Sequence, residues 1–196
     1  EVVGDFVGSL EGDRVGLVIF QARALTLSPL TGDLAAIKAR VGNIGPGLLN
    51  DGTAIGLGLS EAVLLIKDSP AKSRVVVLLT DGENNSGLIE PMQAARVAQA
   101  LGIRVYTVGF SGPNGIGVDH RMLAAMAEAT GGIYYDARTP ADLADAYREV
   151  ASLERSRLGE RRFTTFHEFA PWIAMFAVGL LAADGALRAT WFRTQP

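Results

Sequence analysis

Residues 74–85 read RVVVLLTDGENN, and this stretch decides the fold class. Its first seven residues, 74–80, are almost entirely apolar and rich in valine and leucine, which is typical of a parallel strand covered on both faces. The run ends at Thr80, and Asp81 and Gly82 after it favour a turn. We therefore expect a buried strand whose carboxyl end carries Asp81.

Strand and helix patterns alternate on both sides of this stretch. Strands are predicted at residues 14–21, 24–27, 103–110 and 132–135, the second being the hairpin partner of the first. Helices are predicted at residues 31–41, 53–67, 91–101, 119–130 and 139–152. The alternation predicts an α/β fold with a doubly wound, mostly parallel sheet. Ligands bind beyond the carboxyl ends of the strands in such sheets, so functional residues are expected there.

The composition argues against several classes of protein. The 196 residues include 18 basic and 21 acidic side chains, which leaves a net charge of −3. A nucleic-acid-binding protein is disfavoured, because such a protein needs many cations to displace the counterions of the phosphates. The absence of cysteine excludes disulfides, thiolate zinc sites and a cysteine nucleophile. A hydrophobic content of 48% argues against intrinsic disorder.

The C-terminal part differs in composition from the rest. Residues 169–183 carry no charged side chain, and Trp172 and Trp191 bracket the run as an interfacial aromatic pair does. A membrane span needs about 20 residues, so we predict a transmembrane helix at 168–188; the alternative is a buried core helix. The remaining boundaries are a globular domain at 1–153, a charged linker at 154–167 and a short tail at 189–196.

Two loops carry candidate functional residues. The first, residues 50–56, reads NDGTAIG and leads into a predicted helix, and the second, residues 79–85, reads LTDGENN. Each loop alone has an ordinary structural explanation. Thr53 could cap its helix, and Asp51 or Asp81 could form a turn before glycine.

Together, in this order and within this alternation, the two loops resemble the von Willebrand factor type A domain. The resemblance covers residues 1–153, including IRVYTVGF at 103–110 and LAAMAEATGGIYYDA at 123–137. It implies a metal-ion-dependent adhesion site built from an Asp-x-Ser-x-Ser loop after the first strand, a threonine and an aspartate. Thr53 matches that threonine and Asp81 that aspartate. Rim positions of the site are predicted at Asp51, Glu83 and Asn84.

One part of the family pattern is absent from the sequence. No Asp-x-Ser-x-Ser occurs in the 196 residues. Apolar residues recur at helical spacing from the start of the chain, at Val2, Val3, Phe6, Val7 and Leu10. Residues 1–10 therefore resemble the end of the helix that follows the motif, and we expect an N-terminally truncated domain that lacks its first central strand. Mg²⁺ or Mn²⁺ is the cofactor implied for the complete protein, and we expect no measurable Mg²⁺ binding by this chain alone.

The linker and the predicted anchor narrow the resemblance to the bacterial aerotolerance (Bat) membrane proteins. That resemblance implies a bacterial inner membrane protein whose type A domain lies outside the cytoplasm, although a weak excess of arginine in the linker favours the opposite orientation. It also implies a protein partner that offers a Glu or Asp ligand, and possible complexes with other Bat-type proteins and a MoxR-type ATPase.

Two other functions stay open at this point. One is a metal-dependent, hydrolase-like α/β enzyme that uses Asp81, and the other is a scaffold whose metal site has degenerated. An enzyme needs a second acid, base or nucleophile near Asp81, and none is evident in the sequence. The expectation is therefore a binding protein without enzymatic activity.

Overall fold

The structure, a computed structural model, describes residues 2–10, 12–45, 51–111 and 117–160. Helices and strands alternate along this part of the chain, as the sequence predicts. The helices are α1 (Val2–Gly8), α2 (Leu34–Gly42), α3 (Ile55–Ile66), α4 (Pro91–Ala100), α5 (His120–Thr130) and α6 (Pro140–Glu160). The strands are β1 (Val15–Phe20), β2 (Ala24–Thr31), β3 (Val75–Thr80), β4 (Arg104–Phe110) and β5 (Tyr134–Ala137).

The strand predicted from residues 74–80 is an edge strand of a three-stranded parallel sheet with the order β3-β4-β5. Val76 pairs with Val105 and Thr80 with Gly109, so β3 and β4 end together at one edge of the sheet. The central strand β4 is the most deeply buried, and Val105, Tyr106 and Val108 are fully inaccessible to solvent. In β3 itself the apolar run is buried on one face, at Val76, Leu78 and Thr80, and half-buried on the other.

The strands of the described residues form two separate sheets. Strands β1 and β2 form a separate antiparallel hairpin, and no hydrogen bonds join it to β3 within the described part of the chain. Helix α3 contacts both sheets. Phe20 of the hairpin packs against the core of α3, and the Thr26 hydroxyl donates to the Glu61 carboxylate on α3 at 2.6 Å. The helix therefore joins two sheets that share no strand.

Helices cover both faces of the parallel sheet, as a doubly wound fold requires. One face packs against α3, α4 and α5 in a cluster that includes Leu59, Ala95 and Leu123. On the other face α1 and α6 meet, and the rings of Phe6 and Tyr147 stack with centroids 4.5 Å apart. These two apolar clusters are the core of the domain.

Several element boundaries differ from the predicted ones, and three of the differences have local reasons. Strand β2 continues to Thr31, and α2 begins only at Leu34 because Asp33 caps it, with the Ala36 N–H donating to the Asp33 carboxylate at 3.0 Å. The last strand begins two residues later than predicted. Helix α5 ends at Thr130, and the following Gly131, whose φ is 75°, turns the chain before β5 can pair.

The final helix is longer than predicted, since α6 continues past Ser152 to Glu160. Glu154, expected at the start of a linker, lies against the sheet. Its carboxylate accepts hydrogen bonds from Arg104, from the Tyr106 hydroxyl at 2.6 Å and from the Ser73 hydroxyl at 2.8 Å. These bonds fasten the second half of α6 to the amino-terminal end of β4.

The predicted membrane helix cannot be compared with the structure. Residues 161–167 of the linker, the span at 168–188 and the tail at 189–196 lie outside the described residues. Among the helices that the structure describes, none combines the length and the apolar character needed to cross a bilayer.

Candidate functional site

The two candidate loops meet where the strands of the parallel sheet have their carboxyl ends, which we call the carboxyl edge of the sheet. Thr80, the last residue of β3, shapes the turn, because its hydroxyl donates to the Gly82 carbonyl at 3.1 Å and accepts from the Gly82 N–H at 3.2 Å. The hydroxyl oxygen of Thr53 lies so close to this turn that a Cβ on Gly82 would stand 2.8 Å from it. The structure therefore brings Thr53 beside the residue that follows Asp81.

The ordinary explanation of Thr53 as a helix cap is wrong. Helix α3 has Ala54 at its N-cap, without a side-chain hydrogen bond, and its first amide, Ile55 N–H, donates to the Asn84 side-chain oxygen at 2.9 Å. The turn after β3 is held by Thr80 and not by the Asp81 carboxylate. Among the described residues, neither the Thr53 hydroxyl nor the Asp81 carboxylate takes part in a hydrogen bond or an ion pair.

The segment 81–90 is braced against the residues around Thr53. The Thr53 carbonyl accepts from the N–H groups of Asn85 at 3.0 Å and Ser86 at 3.2 Å, and the Thr53 N–H donates to the Asn85 side chain at 2.8 Å. The Ala54 N–H donates to the Gln21 carbonyl at 2.7 Å, so the hairpin also takes part. We call this set of hydrogen bonds the brace. The position of Thr53 is thus set by its own backbone, which leaves its hydroxyl available.

The side chains of Asn84 and Asn85 both hydrogen-bond to the backbone at the start of α3. Asn84 was expected at the rim, but it is half-buried and its side chain holds the first amide of α3. Asn85, which the sequence analysis did not single out, positions Thr53 by accepting a hydrogen bond from its N–H. The sequence contained a signal for this contact. The first backbone N–H groups of the helix that starts at residues 53–55 need acceptors outside the helix, and the second loop offers two consecutive asparagine side chains.

Acidic side chains surround the two candidate ligands. Asp51, Asp81, Glu83 and Glu90 are all exposed, and the described residues 51–55 and 81–90 include no lysine or arginine. Asp51 and Glu83 therefore lie at the surface, on the two loops that meet here. The exposed Arg23 also lies near this edge, because its neighbour Ala22 approaches Gly52. The edge therefore carries a net negative charge, which attracts cations.

A hydroxyl and a carboxylate are the kinds of oxygen donor that Mg²⁺ and Mn²⁺ prefer. Thr53 and Asp81 fit such an ion by their chemistry and by the close approach at Gly82. They are too few to hold it, since a hard divalent cation takes about six oxygens. Among the described residues no three His, Asp or Glu side chains are grouped as a metal site.

A second polar cluster lies at the ends of β4 and β5. The ring nitrogen Nδ1 of His120 is 2.6 Å from the Tyr134 hydroxyl, and the Asp136 carboxylate accepts from Ser111 at 3.0 Å and from Arg138 at 3.1 Å. Desolvation, with the Asp136 charge, raises the pKa of Tyr134 to about 12. Ser111 contacts Asp136 and not His120, so this cluster lacks the hydroxyl–imidazole pair of an activated nucleophile.

Known proteins that are similar to this chain include a bacterial protein and two solved structures. An uncharacterized protein of Borreliella burgdorferi is 30% identical over 69% of this chain and 45% of its own length. A crystal structure of an aerotolerance-related membrane protein from Bacteroides fragilis has a TM-score of 0.65 at 26% identity, over 77% of this chain and 83% of that one. Proximal thread matrix protein 1 of the mussel byssus, with a zinc-occupied MIDAS motif, has a TM-score of 0.65 at 25% identity, over 78% of this chain and 39% of that one.

The chain spans about half the length of the curated relatives that it matches. The resemblance to Bat-type membrane proteins is confirmed by the structural neighbours. The family model of the von Willebrand factor type A domain matches residues 1–149, which include both loops of the candidate site. The chain therefore belongs to the von Willebrand factor type A domain family.

Proposed function

We propose that this domain binds a protein partner through a divalent cation, Mg²⁺ or Mn²⁺, held in part by Thr53 and Asp81. The observation that carries the proposal is the pair of oxygen groups without protein partners at a braced, acidic edge of the sheet. Domains of this family are generally interaction modules, and the mussel relative has a metal in the corresponding motif.

A bound cation presents positive charge to the partner protein. An Asp or Glu side chain of the partner can then bind the cation and complete its coordination. Thr53 contributes a neutral oxygen and Asp81 one negative charge, so these two residues alone do not neutralise the ion. The brace through Asn85 and Ser86 keeps the Thr53 oxygen in place before binding, which lowers the ordering cost. Asp51 and Glu83 attract the cation from the rim.

The remaining ligands would come from the Asp-x-Ser-x-Ser loop of a first strand that precedes residue 2. Strands β1 and β3 each have one edge without a strand partner among the described residues. A strand between them, parallel to β3, would end at the same edge as Thr80 and bring its loop to Asp81. The complete domain would then contain one continuous doubly wound sheet.

The wider role proposed for the protein follows its Bat-type relatives. The span at 168–188 would anchor the domain in a bacterial inner membrane, with the domain outside the cytoplasm. Its partners would include other Bat-type proteins and a MoxR-type ATPase. The enzyme alternative needs a second catalytic group beside Asp81, and the other acids of the described residues of the two loops, Asp51, Glu83 and Glu90, are exposed.

Substitution of the two proposed ligands should separate metal binding from folding. We call the protein with the proposed first strand the intact protein. In it we expect Thr53→Val and Asp81→Asn each to weaken Mn²⁺ binding by at least about 10-fold, because each removes one oxygen from the coordination sphere. Isothermal titration calorimetry measures the affinity, and circular dichroism checks the fold. Residues 1–153 alone should show no binding in the same titration.

Asp68→Asn is the matched control, since it removes one exposed carboxylate beyond the far end of α3. It should leave the Mn²⁺ affinity unchanged. Equal affinities for the wild type, Thr53→Val and Asp81→Asn would contradict the proposed site. No Mn²⁺ binding by the intact wild type would instead favour a scaffold with a degenerate site.

A further inference from the structure

Leu88 has the most exposed large apolar side chain in the described part of the chain. Its exposed fraction is 100%, whereas the other exposed large hydrophobic residues there range from 37% to 59%. A single exposed leucine is ordinary by itself. Leu88 differs by its place, because it lies in the braced segment 81–90 that begins with the proposed ligand Asp81.

The backbone on both sides of Leu88 lies close to the start of α3. Gly87, with a φ of 90°, lies against Ala54, so that a Cβ on it would be 2.9 Å from the Ala54 Cβ. The Ile89 carbonyl lies against Gly56, where an added Cβ would be 2.0 Å from the carbonyl oxygen. The backbone of Leu88 is thus held on the first turn of α3, next to Thr53, while its side chain stands in solvent.

The charges at this edge define what kind of partner can use it. The exposed acids of the two loops, with no lysine or arginine among the described residues 51–55 and 81–90, repel an acidic segment until a cation is bound. The cation attracts an acidic side chain but gives little discrimination between acidic segments. An apolar contact beside it adds discrimination that charge alone does not supply.

We propose that Leu88 is the apolar contact of the partner-binding surface, and that the partner is a protein segment in which an aliphatic or aromatic side chain neighbours the metal-binding Asp or Glu. This inference rests on the proposed function. The held backbone keeps the ordering cost low, so burial of the leucine side chain adds about 10- to 100-fold to the affinity.

Selection of random phage-displayed peptides on the intact protein tests this partner chemistry. With Mn²⁺ present, the wild type should enrich peptides in which Asp or Glu neighbours an aliphatic or aromatic residue, and EDTA should abolish the enrichment. Leu88→Ser protein should still enrich acidic peptides, but without the apolar neighbour. Enrichment of acidic peptides by the wild type with no apolar preference would overturn the role of Leu88 and leave the proposed function standing.

An enriched peptide then allows a direct comparison by fluorescence anisotropy. Leu88→Ser should weaken its binding by about 10- to 100-fold, with an unchanged Mn²⁺ affinity. Leu64→Ser is the control, because Leu64 is 59% exposed on α3, and its effect should stay within about twofold. Equal effects of the two substitutions would overturn the inference. If no acidic peptide is enriched with Mn²⁺, the proposed function fails, and the inference fails with it.

Discussion

Glu154→Ala is expected to lower the free energy of unfolding of the intact protein by about 3 kcal/mol, at the lower end of the cost of breaking a buried ion pair. The side chains of Arg104 and Glu154 are 25% and 14% exposed, so the substitution leaves a mostly buried guanidinium without its carboxylate. The hydroxyls of Tyr106 and Ser73 lose the same acceptor. Urea denaturation followed by circular dichroism measures the change.

Glu149→Ala is the matched control on the same helix. Glu149 is exposed, so the same truncation there should change the stability by no more than about 0.5 kcal/mol. If the two variants unfold at the same urea concentration, the carboxylate of Glu154 does not fasten α6 to the sheet.

The stabilisation by Glu154 should depend on pH. Desolvation raises the pKa of this carboxyl, but the hydrogen bonds from Arg104, Tyr106 and Ser73 together outweigh it, and the net pKa is lowered from 4.5. A group whose pKa is lowered by folding stabilises the fold above its unfolded pKa. The stability difference between the wild type and Glu154→Gln should therefore be constant near neutral pH and shrink as the pH falls below about 4.5. A difference that does not change between pH 7 and acid would contradict this linkage.

Gly56→Ala is expected to destabilise the protein by about 2–3 kcal/mol, even though alanine favours a helix by about 1 kcal/mol over glycine. The added Cβ would stand 2.0 Å from the Ile89 carbonyl oxygen and 2.8 Å from the carbonyl carbon, so backbone must move. For a domain of this size the melting temperature should fall by about 5 °C or more. Mn²⁺ affinity should fall too, because the displaced segment is the one that braces Thr53.

Gly42→Ala makes the same substitution in a helix with free space around it. No heavy atom lies within 4 Å of a Cβ at Gly42, so this variant should be unchanged or more stable by up to about 1 kcal/mol. A comparable loss of stability in both variants would show that packing against segment 81–90 is not the cause.

Most of the fold could be predicted from periodicity. The apolar run at 74–80 and the helix patterns around it correspond to β3 and its neighbours because burial on two faces leaves a strong signal. A gap in the sheet was expected from the absence of the first central strand, whereas the strand order could not be predicted because it depends on partners that no local pattern encodes. The extension of α6 was missed because Glu154 looks like a surface charge until Arg104 is known to face it.

The site was predictable in part for a similar reason. Thr53 and Asp81 were identified because the two loops that carry them resemble, together and in this order, the metal-site loops of the von Willebrand factor type A family. The structure supports their proximity through Gly82 but leaves their role as ligands a prediction. Asn85 was missed because its hydrogen bonds reach a residue 32 positions away in sequence. Contacts of this kind follow from the fold and not from local composition.

The brace around Thr53 also has a consequence for the dynamics of the domain. The amide protons of Ala54, Ile55, Asn85 and Ser86 are held by bonds between loops, whereas those of β4 are held in the centre of the sheet. Solvent exchange of the first set can proceed when the loops part, and exchange of the second requires the sheet to open. Amide exchange in this protein should therefore have two separate rates. One reports opening of the site, and the other reports loss of the core.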